Sequence, residues 1–233
     1  MKAKDKSGAP PKTKILIIDD HPMMREGLAQ LIANQPDLIV CGEAGDASEG
    51  LAKFQSLKPD LVLSDITLPG RNGLELVKDI HAVSPSTPVL VISMHDESLY
   101  AERVLKAGGR GYVMKQEGGK RIMEAIRRVI GGEICVSDKM SARILEAFSG
   151  RASRGSGSPV GNLTDREFEV FQLIGQGMDT KQLAQHLHLS TKTIEVHRAN
   201  IKAKLNVKSI AELIRYAVRW VESEAPGGGE PRR

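Results

Sequence analysis

The stretch Lys14–Asp20, KILIIDD, decides the fold, because four consecutive apolar residues, Ile15–Ile18, run straight into two aspartates. A strand with one face in water alternates apolar and polar residues, whereas a strand covered by helices on both faces of a parallel sheet is apolar throughout. Val89–Ile92 repeats the pattern, and between and beyond these runs short apolar segments alternate with amphipathic ones: PMMREGLAQLIANQ, LIVCGEA, DASEGLAKFQSL, DLVLSD, NGLELVKDIHAV, PVLVIS, ESLYAERVLKAG, RGYVMK and GGKRIMEAIRRVIGG. In the first amphipathic segment Met24, Leu28, Leu31 and Ile32 form one helical stripe, with Pro22 near the first helical position. The order is (βα)5, an α/β doubly wound parallel sheet, with Ser137–Ser149 as an extra helix.

Ligands of such sheets bind beyond the carboxyl ends of the strands. There the sequence places Asp19 and Asp20, Asp65, Ser93 and Lys115. Singly, Asp20 could cap a helix, Asp65 start a turn, Ser93 end a strand and Lys115 face solvent. Together they form a chemical set. Carboxylates converging in one crevice repel one another, and a hard divalent cation with oxygen ligands and water, Mg²⁺, relieves this. A carboxylate nucleophile beside a metal, a lysine and a hydroxyl is what a phosphoryl acceptor needs, and Asp65, the lone carboxylate of the central strand, is the natural nucleophile. His21 and His95 read as structural, since Mg²⁺ prefers oxygen. No GxGxxG or GxxxxGK[ST] follows a strand, so dinucleotide and nucleotide binding are unsupported. Asp65-Ile66-Thr67 also lacks the second carboxylate of haloacid-dehalogenase-like nucleophile loops, which argues against turnover of small phosphoesters.

Through IIDDH, LSDITLPGRNG, VISMH and GYVMK, residues 14–131 resemble the receiver domain of two-component response regulators. The resemblance implies that Asp20 and Asp65 ligate Mg²⁺ directly, that Asp19 acts through water, and that the Thr67 backbone carbonyl completes the set. It makes Ser93 and Tyr112 a pair that moves when Asp65 is phosphorylated. Gln116 departs from the Pro that follows the lysine in many receivers.

After a Gly/Ser-rich stretch at 150–162 only helical patterns remain: TDREFEVFQLIGQG, DTKQLAQHLH, STKTIEVHRANIKAKL and SIAELIRYAVRW. Thr164 with Glu167 is a capping box. The second and third of these helices, joined by a tight turn, fit a helix-turn-helix whose second member enters the major groove. Ile194, Ile201 and Leu205 share its core stripe, leaving Lys192, Val196, Ala199 and Ala203 opposite, flanked by Glu195, Asn200 and Lys202. Lys192, Arg198, Lys202, Lys204 and Lys208 suit phosphate neutralisation, and Glu195 suits base readout, since a carboxylate accepts from cytosine N4 and cannot pair with phosphate. The segment from Leu163 through Lys192-Thr193-Ile194-Glu195-Val196-His197 resembles the LuxR-type output domain of NarL/FixJ-class regulators, which adds Thr193 to the DNA-contacting set. Ile210, Leu213, Ile214 and Ala217 stripe the last helix, which resembles a dimerisation helix and equally suits core packing.

Charge agrees with two jobs. Residues 15–135 carry −4 and residues 161–221 carry +3, so an anionic polymer belongs with the second half. No apolar run reaches membrane-span length, and Cys41 and Cys135 are too few for a metal or disulfide framework, so both read as buried thiols. The expected organisation is a flexible segment at 1–13, a receiver at 14–131, a linker helix and flexible linker at 132–162, a small all-α helix-turn-helix domain at 163–221 and a flexible tail at 222–233. The expected protein is a cytoplasmic transcriptional regulator without small-molecule turnover. A sensor histidine kinase phosphorylates it on Asp65 with Mg²⁺, and it binds double-stranded promoter DNA as a homodimer, at least when phosphorylated or on DNA. The alternative is a phosphorylation-independent transcription factor with a vestigial receiver.

Overall fold

A computed structural model describes residues 11–148 and 159–224. Of the expected flexible segments, 1–10, 150–158 and 225–233 lie outside the described residues, as does Ser149 at the end of the expected extra helix. The first domain alternates β1 (Thr13–Ile18), α1 (Pro22–Ala33), β2 (Leu38–Ala44), α2 (Ala47–Leu57), β3 (Leu61–Ser64), α3 (Gly73–Val83), β4 (Val89–Ser93), α4 (Glu97–Lys106), β5 (Gly111–Met114) and α5 (Gly118–Ile130). Its five strands are all parallel, in the order β2-β1-β3-β4-β5. Because β1 sits between β2 and β3, the connections leave β1 to opposite sides and open a crevice at its carboxyl end.

The apolar runs divide by residue parity, as two-sided burial requires. Ile15, Ile17, Leu61, Leu63, Leu90 and Ile92 pack on Leu28, Ile32, Ile122 and Ile126 of α1 and α5. Their neighbours Leu16, Ile18, Val62, Val89 and Val91 face α2, α3 and α4, meeting Phe54, Leu76, Ile80, Tyr100 and Val104. This second layer continues into the C-terminal domain, so the two domains share one apolar cluster. Edge strand β2 is the exception, with only its terminal residues Leu38 and Ala44 buried.

An added helix, α6 (Asp138–Phe148), follows, and then α7 (Asp165–Gly175), α8 (Thr180–His186), α9 (Thr191–Leu205) and α10 (Ile210–Glu224). Side-chain caps start α7 at Thr164, α8 at Asp179 and α9 at Ser190, and the Thr164–Glu167 capping box is formed on both sides. Helix α7 is buried from Arg166 to Ile174, polar residues included, because it is covered by the other helices and by the first domain.

Three boundaries differ from expectation. Thr13, placed in the flexible segment, opens β1, its amide donating to the Asp37 carbonyl (2.9 Å). Residues 159–162, placed in the flexible linker, form a 3-10 turn with Val160 buried, held where Arg103 donates to the Val160 carbonyl (3.1 Å). Helix α10 runs to Glu224, past the expected tail boundary, since nothing before Pro226 breaks it.

Candidate functional site

The hydrogen-bond register aligns the strand ends. Ile18 of β1 pairs with Ser64 of β3, and the Asp65 amide donates to the Ile18 carbonyl (2.9 Å), so Asp19, Asp20 and Asp65 emerge side by side. Lys115, immediately after β5, reaches across the crevice with its Nζ 2.7 Å from Asp19 and 2.6 Å from Asp65. Burial pushes the Asp65 carboxyl up, and the Lys115 charge only partly opposes it. Burial also works against the Lys115 ammonium, but the charges of Asp65 and Asp19 outweigh it and hold its pKa above the usual value. Asp65 Oδ1 meanwhile accepts from the Ile66 amide (2.6 Å) and, more weakly, from Thr67 (3.4 Å).

The ligand atoms of Asp19, Asp20, His21 and Asp65 all lie within 4.8 Å of one another. Asp20 Oδ1 sits 2.6 Å from His21 Nδ1, yet this buried oxygen receives no hydrogen bond. Hard carboxylate donors with one oxygen left unmatched fit a divalent oxygen-seeking cation. His21 itself is the N-cap position of α1, is largely exposed, makes no side-chain cap hydrogen bond, and has its Nδ1 also 3.3 Å from Asp19.

Ser93 is fully buried at the end of β4, and Tyr112 is buried with its hydroxyl donating to the His95 carbonyl (2.8 Å). Sequence reasoning undervalued His95. Its Nε2 lies 3.0 Å from Thr67 Oγ1 at the mouth of the crevice, and burial, helped by the charges of His186 and Lys115, pushes its pKa down to about 4, so the ring is neutral. Arg25 was also missed: Nη1 donates to the Asp19 carbonyl (2.5 Å) and fixes the acidic pair's backbone. The available signal was a cation in the first turn of α1, six residues after Asp19.

The Asp65 loop is shaped by Gly73, the first residue of α3. Its amide donates to the Ile66 carbonyl (2.7 Å), and a Cβ there would stand 2.1 Å from the Asp65 carbonyl oxygen. Gly73→Ala is therefore expected to cost about 1–3 kcal/mol or more by overpacking against backbone, and to displace the Asp65 loop. Urea denaturation measures the first effect and phosphoryl uptake the second; a fully stable variant with normal uptake would contradict the contact.

In the C-terminal domain, α8 and α9 stand in helix-turn-helix order. Ile194, Ile201 and Leu205 are buried, while Lys192, Glu195, Val196 (53% exposed), Ala199, Asn200 and Ala203 form an open face. Thr193 and Lys202 are half-buried at its margin, and the Ser190 hydroxyl lies 2.8 Å from that of Thr193. Arg198 donates to the Thr180 hydroxyl of α8, and Lys204 Nζ pairs with Glu167 (2.6 Å), so these two cations have partners inside the domain. On α10, Leu213 and Ala217 are core, whereas Ile210 and Ile214 are exposed.

Residues 15–127 match the family described as response regulator receiver domain, and residues 161–217 match bacterial regulatory proteins, luxR family. The oxygen regulatory protein NreC of Staphylococcus carnosus is 33% identical over 210 residues, covering 88% of this chain and 97% of that one. This chain belongs to the LuxR family of two-component response regulators. Among solved structures, a LuxR-family response regulator from Aurantimonas is 33% identical with a TM-score of 0.55, covering 59% of this chain and 99% of that one. The response regulator RcsB of Salmonella enterica serovar Typhimurium, bound to promoter rprA in the presence of phosphomimetic BeF3⁻, is 25% identical with a TM-score of 0.59, covering 89% of this chain and 98% of that one. This regulator thus joins a receiver fold to a LuxR-type helix-turn-helix, and no helix among its described residues is long and apolar enough to cross a membrane.

Proposed function

We propose that a sensor histidine kinase phosphorylates this response regulator on Asp65 with Mg²⁺, and that phosphorylation controls its pairing as a homodimer on promoter DNA. The observation that carries the reading is the double ion pair of Lys115 with Asp19 and Asp65. A cation set against the buried carboxylate of Asp65, beside a pair of candidate metal ligands, supports Asp65 as the nucleophile. Asp20, Asp65 and the Thr67 carbonyl, with Asp19 beside them, would hold Mg²⁺, which would supply neutralisation of the phosphoryl charge. An Asp65 oxygen attacks phosphorus, the P–N bond to the kinase histidine breaks, and the imidazole nitrogen keeps the electron pair and takes a proton. Lys115 then shifts its donors to the new phosphoryl oxygens and Ser93 offers its hydroxyl, a rearrangement that Tyr112, packed behind them, follows.

The proposed receiver spans 14–131 and the output domain 163–221. In the latter, α9 enters the major groove. Lys192, Arg198, Lys202 and Lys204 serve phosphates, while Thr193, Glu195, Val196, Ala199 and Asn200 face base edges. Arg198 and Lys204 exchange their internal partners for phosphate on binding. RcsB, solved on promoter DNA with a phosphomimetic, supports both halves of the reading.

The test is fluorescence anisotropy with a panel of labelled duplexes, before and after treatment with acetyl phosphate and Mg²⁺. Phosphorylated protein should bind more tightly, with affinity falling steeply with salt. Lys202→Ala should weaken binding evenly across sequences and lower the salt slope by about 1, whereas Glu195→Ala should change sequence preference. Salt-independent binding, or no response to the phosphodonor, would sink the proposal.

A further inference from the structure

The two domains are docked through α7. Arg103 of α4 donates to the carbonyl oxygens of Val160 (3.1 Å) and Leu163 (3.0 Å) and to Asp165 (3.1 Å), and its guanidinium lies 4.1 Å from the centre of the Phe168 ring. Lys78 of α3 pairs with the same Asp165 (2.5 Å), and Tyr100 meets Phe168 edge to face, centroids 5.3 Å apart. Deeper in, Asn72 Nδ2 donates to Glu169 (2.8 Å), which also accepts from Arg166 (2.6 Å). Arg166 in turn reaches the Leu187 carbonyl (3.0 Å) and, at the edge of hydrogen-bonding range, the Gly70 carbonyl (3.4 Å).

These contacts have two properties. Glu169 and Arg166 are buried, and a buried charge that loses its partner is costly. The dock therefore prefers one geometry to loose collision. Second, the hydrogen bonds, ion pairs and ring contacts named above fall on α7 and the turn before it, while His186 of α8 and His197 of α9 lie within electrostatic reach of His95 and Glu75 of the receiver. With the receiver in place, Lys192, Glu195, Val196, Ala199, Asn200 and Ala203 remain exposed, and so do Gln185 and His188 on the neighbouring α8 side. A receiver lying over α9 would have withdrawn these residues from solvent.

We propose that the docked state is itself competent to bind DNA. The receiver grips the output domain by α7 and leaves open the face of α9 formed by Lys192, Val196, Ala199 and Ala203, and the acceptor loop communicates with the output domain at Gly70 and Asn72, on the side away from that face. Phosphorylation then acts on a domain that already presents its reading helix. This rests on α9 being the DNA surface.

The experiment locks the dock in the full, unphosphorylated chain carrying Cys41→Ala. Lys78→Cys and Asp165→Cys are bridged with a short bismaleimide, because side chains of that length hold the backbones too far apart for a disulfide. Arg103→Cys with Asp165→Cys is the second pair, should the first chain fold poorly by circular dichroism. Binding to a fluorescein-labelled duplex of mixed sequence at low salt is compared before and after cross-linking. Affinity unchanged within threefold supports the proposal, and a greater loss on locking overturns it by showing that the output domain must leave the receiver to bind. Failure of both pairs to cross-link in folded protein also overturns it, since the dock would then not exist in solution. Lys202→Ala in the uncross-linked chain separates the two levels. If it leaves binding unchanged, the α9 reading fails and the proposal falls with it, whatever the lock does.

Discussion

Asp65→Asn is expected to abolish phosphoryl uptake completely while leaving the protein folded and, at neutral pH, more stable. Asparagine keeps the shape of the side chain, and its carbonyl oxygen can still accept from the Ile66 amide, but it is no nucleophile. Lys115 loses one partner and retains Asp19 at 2.7 Å. The stability effect follows from burial, which raises the Asp65 pKa above its unfolded value near 4. A group raised in this way favours the folded state fully below its unfolded pKa, and that contribution is lost as pH rises through the folded value. Above its unfolded value the wild-type carboxyl therefore carries a cost that asparagine lacks, and below about pH 4 the difference closes. Intact mass after acetyl phosphate and Mg²⁺ measures the first effect, and thermal melts from pH 7 to pH 3, with chelator present, measure the second. A phosphoryl group on the variant would overturn the assignment of the acceptor. Equal Tm shifts at both ends of the pH range would overturn the account of its burial.

Lys115→Met should be the more damaging change to the fold. The side chain is 7% exposed and bridges two carboxylates that are themselves almost fully buried. Methionine fills similar space but leaves Asp19 and Asp65 facing each other without a cation, and breaking a buried pair in this way costs about 3–5 kcal/mol. Urea denaturation in chelator measures that loss. Millimolar Mg²⁺ should restore part of it, because a bound cation relieves the same repulsion and stabilises the native state by mass action. A variant as stable as wild type in chelator would mean that the crevice is not held together by this charge balance. Rescue by Na⁺ at equal ionic strength would mean that screening, not a divalent site, is at work.

The strand ends were legible because two signals coincide there: an unbroken apolar run, which locates a strand buried on both faces, and a charged residue at its end. Asp19, Asp20 and Lys115 satisfy both, Ser93 ends its apolar run with a hydroxyl and Asp65 follows one through Ser64, and the parallel register brings them together without further information. The C-terminal helices were legible through caps such as Thr164 and through the buried stripe of Ile194, Ile201 and Leu205. What joins the domains was not. Asn72 caps α3, its Oδ1 accepting from the Leu74 amide (2.8 Å), and nothing local in the sequence marks its second bond to a residue 97 positions away. Glu169 is buried too, and a helical pattern shows which face packs inward but not whether a second body covers the other. Arg198 and Lys204 expose the same gap: charge reveals a cation, but its partner depends on the tertiary neighbours.

The rings at the domain boundary have an optical consequence. His95, within hydrogen-bonding distance of Thr67, lies 5.0 Å from Tyr100, Tyr100 lies 5.3 Å from Phe168, and Phe168 lies 5.4 Å from Trp220. Trp220 is the only tryptophan of the chain. Tyrosine emission overlaps tryptophan absorption, so Tyr100 in one domain and Trp220 in the other form a built-in energy-transfer pair. Separation of the domains lengthens that distance and dims the sensitised emission, which gives this regulator a fluorescent gauge of its own domain spacing without an attached dye.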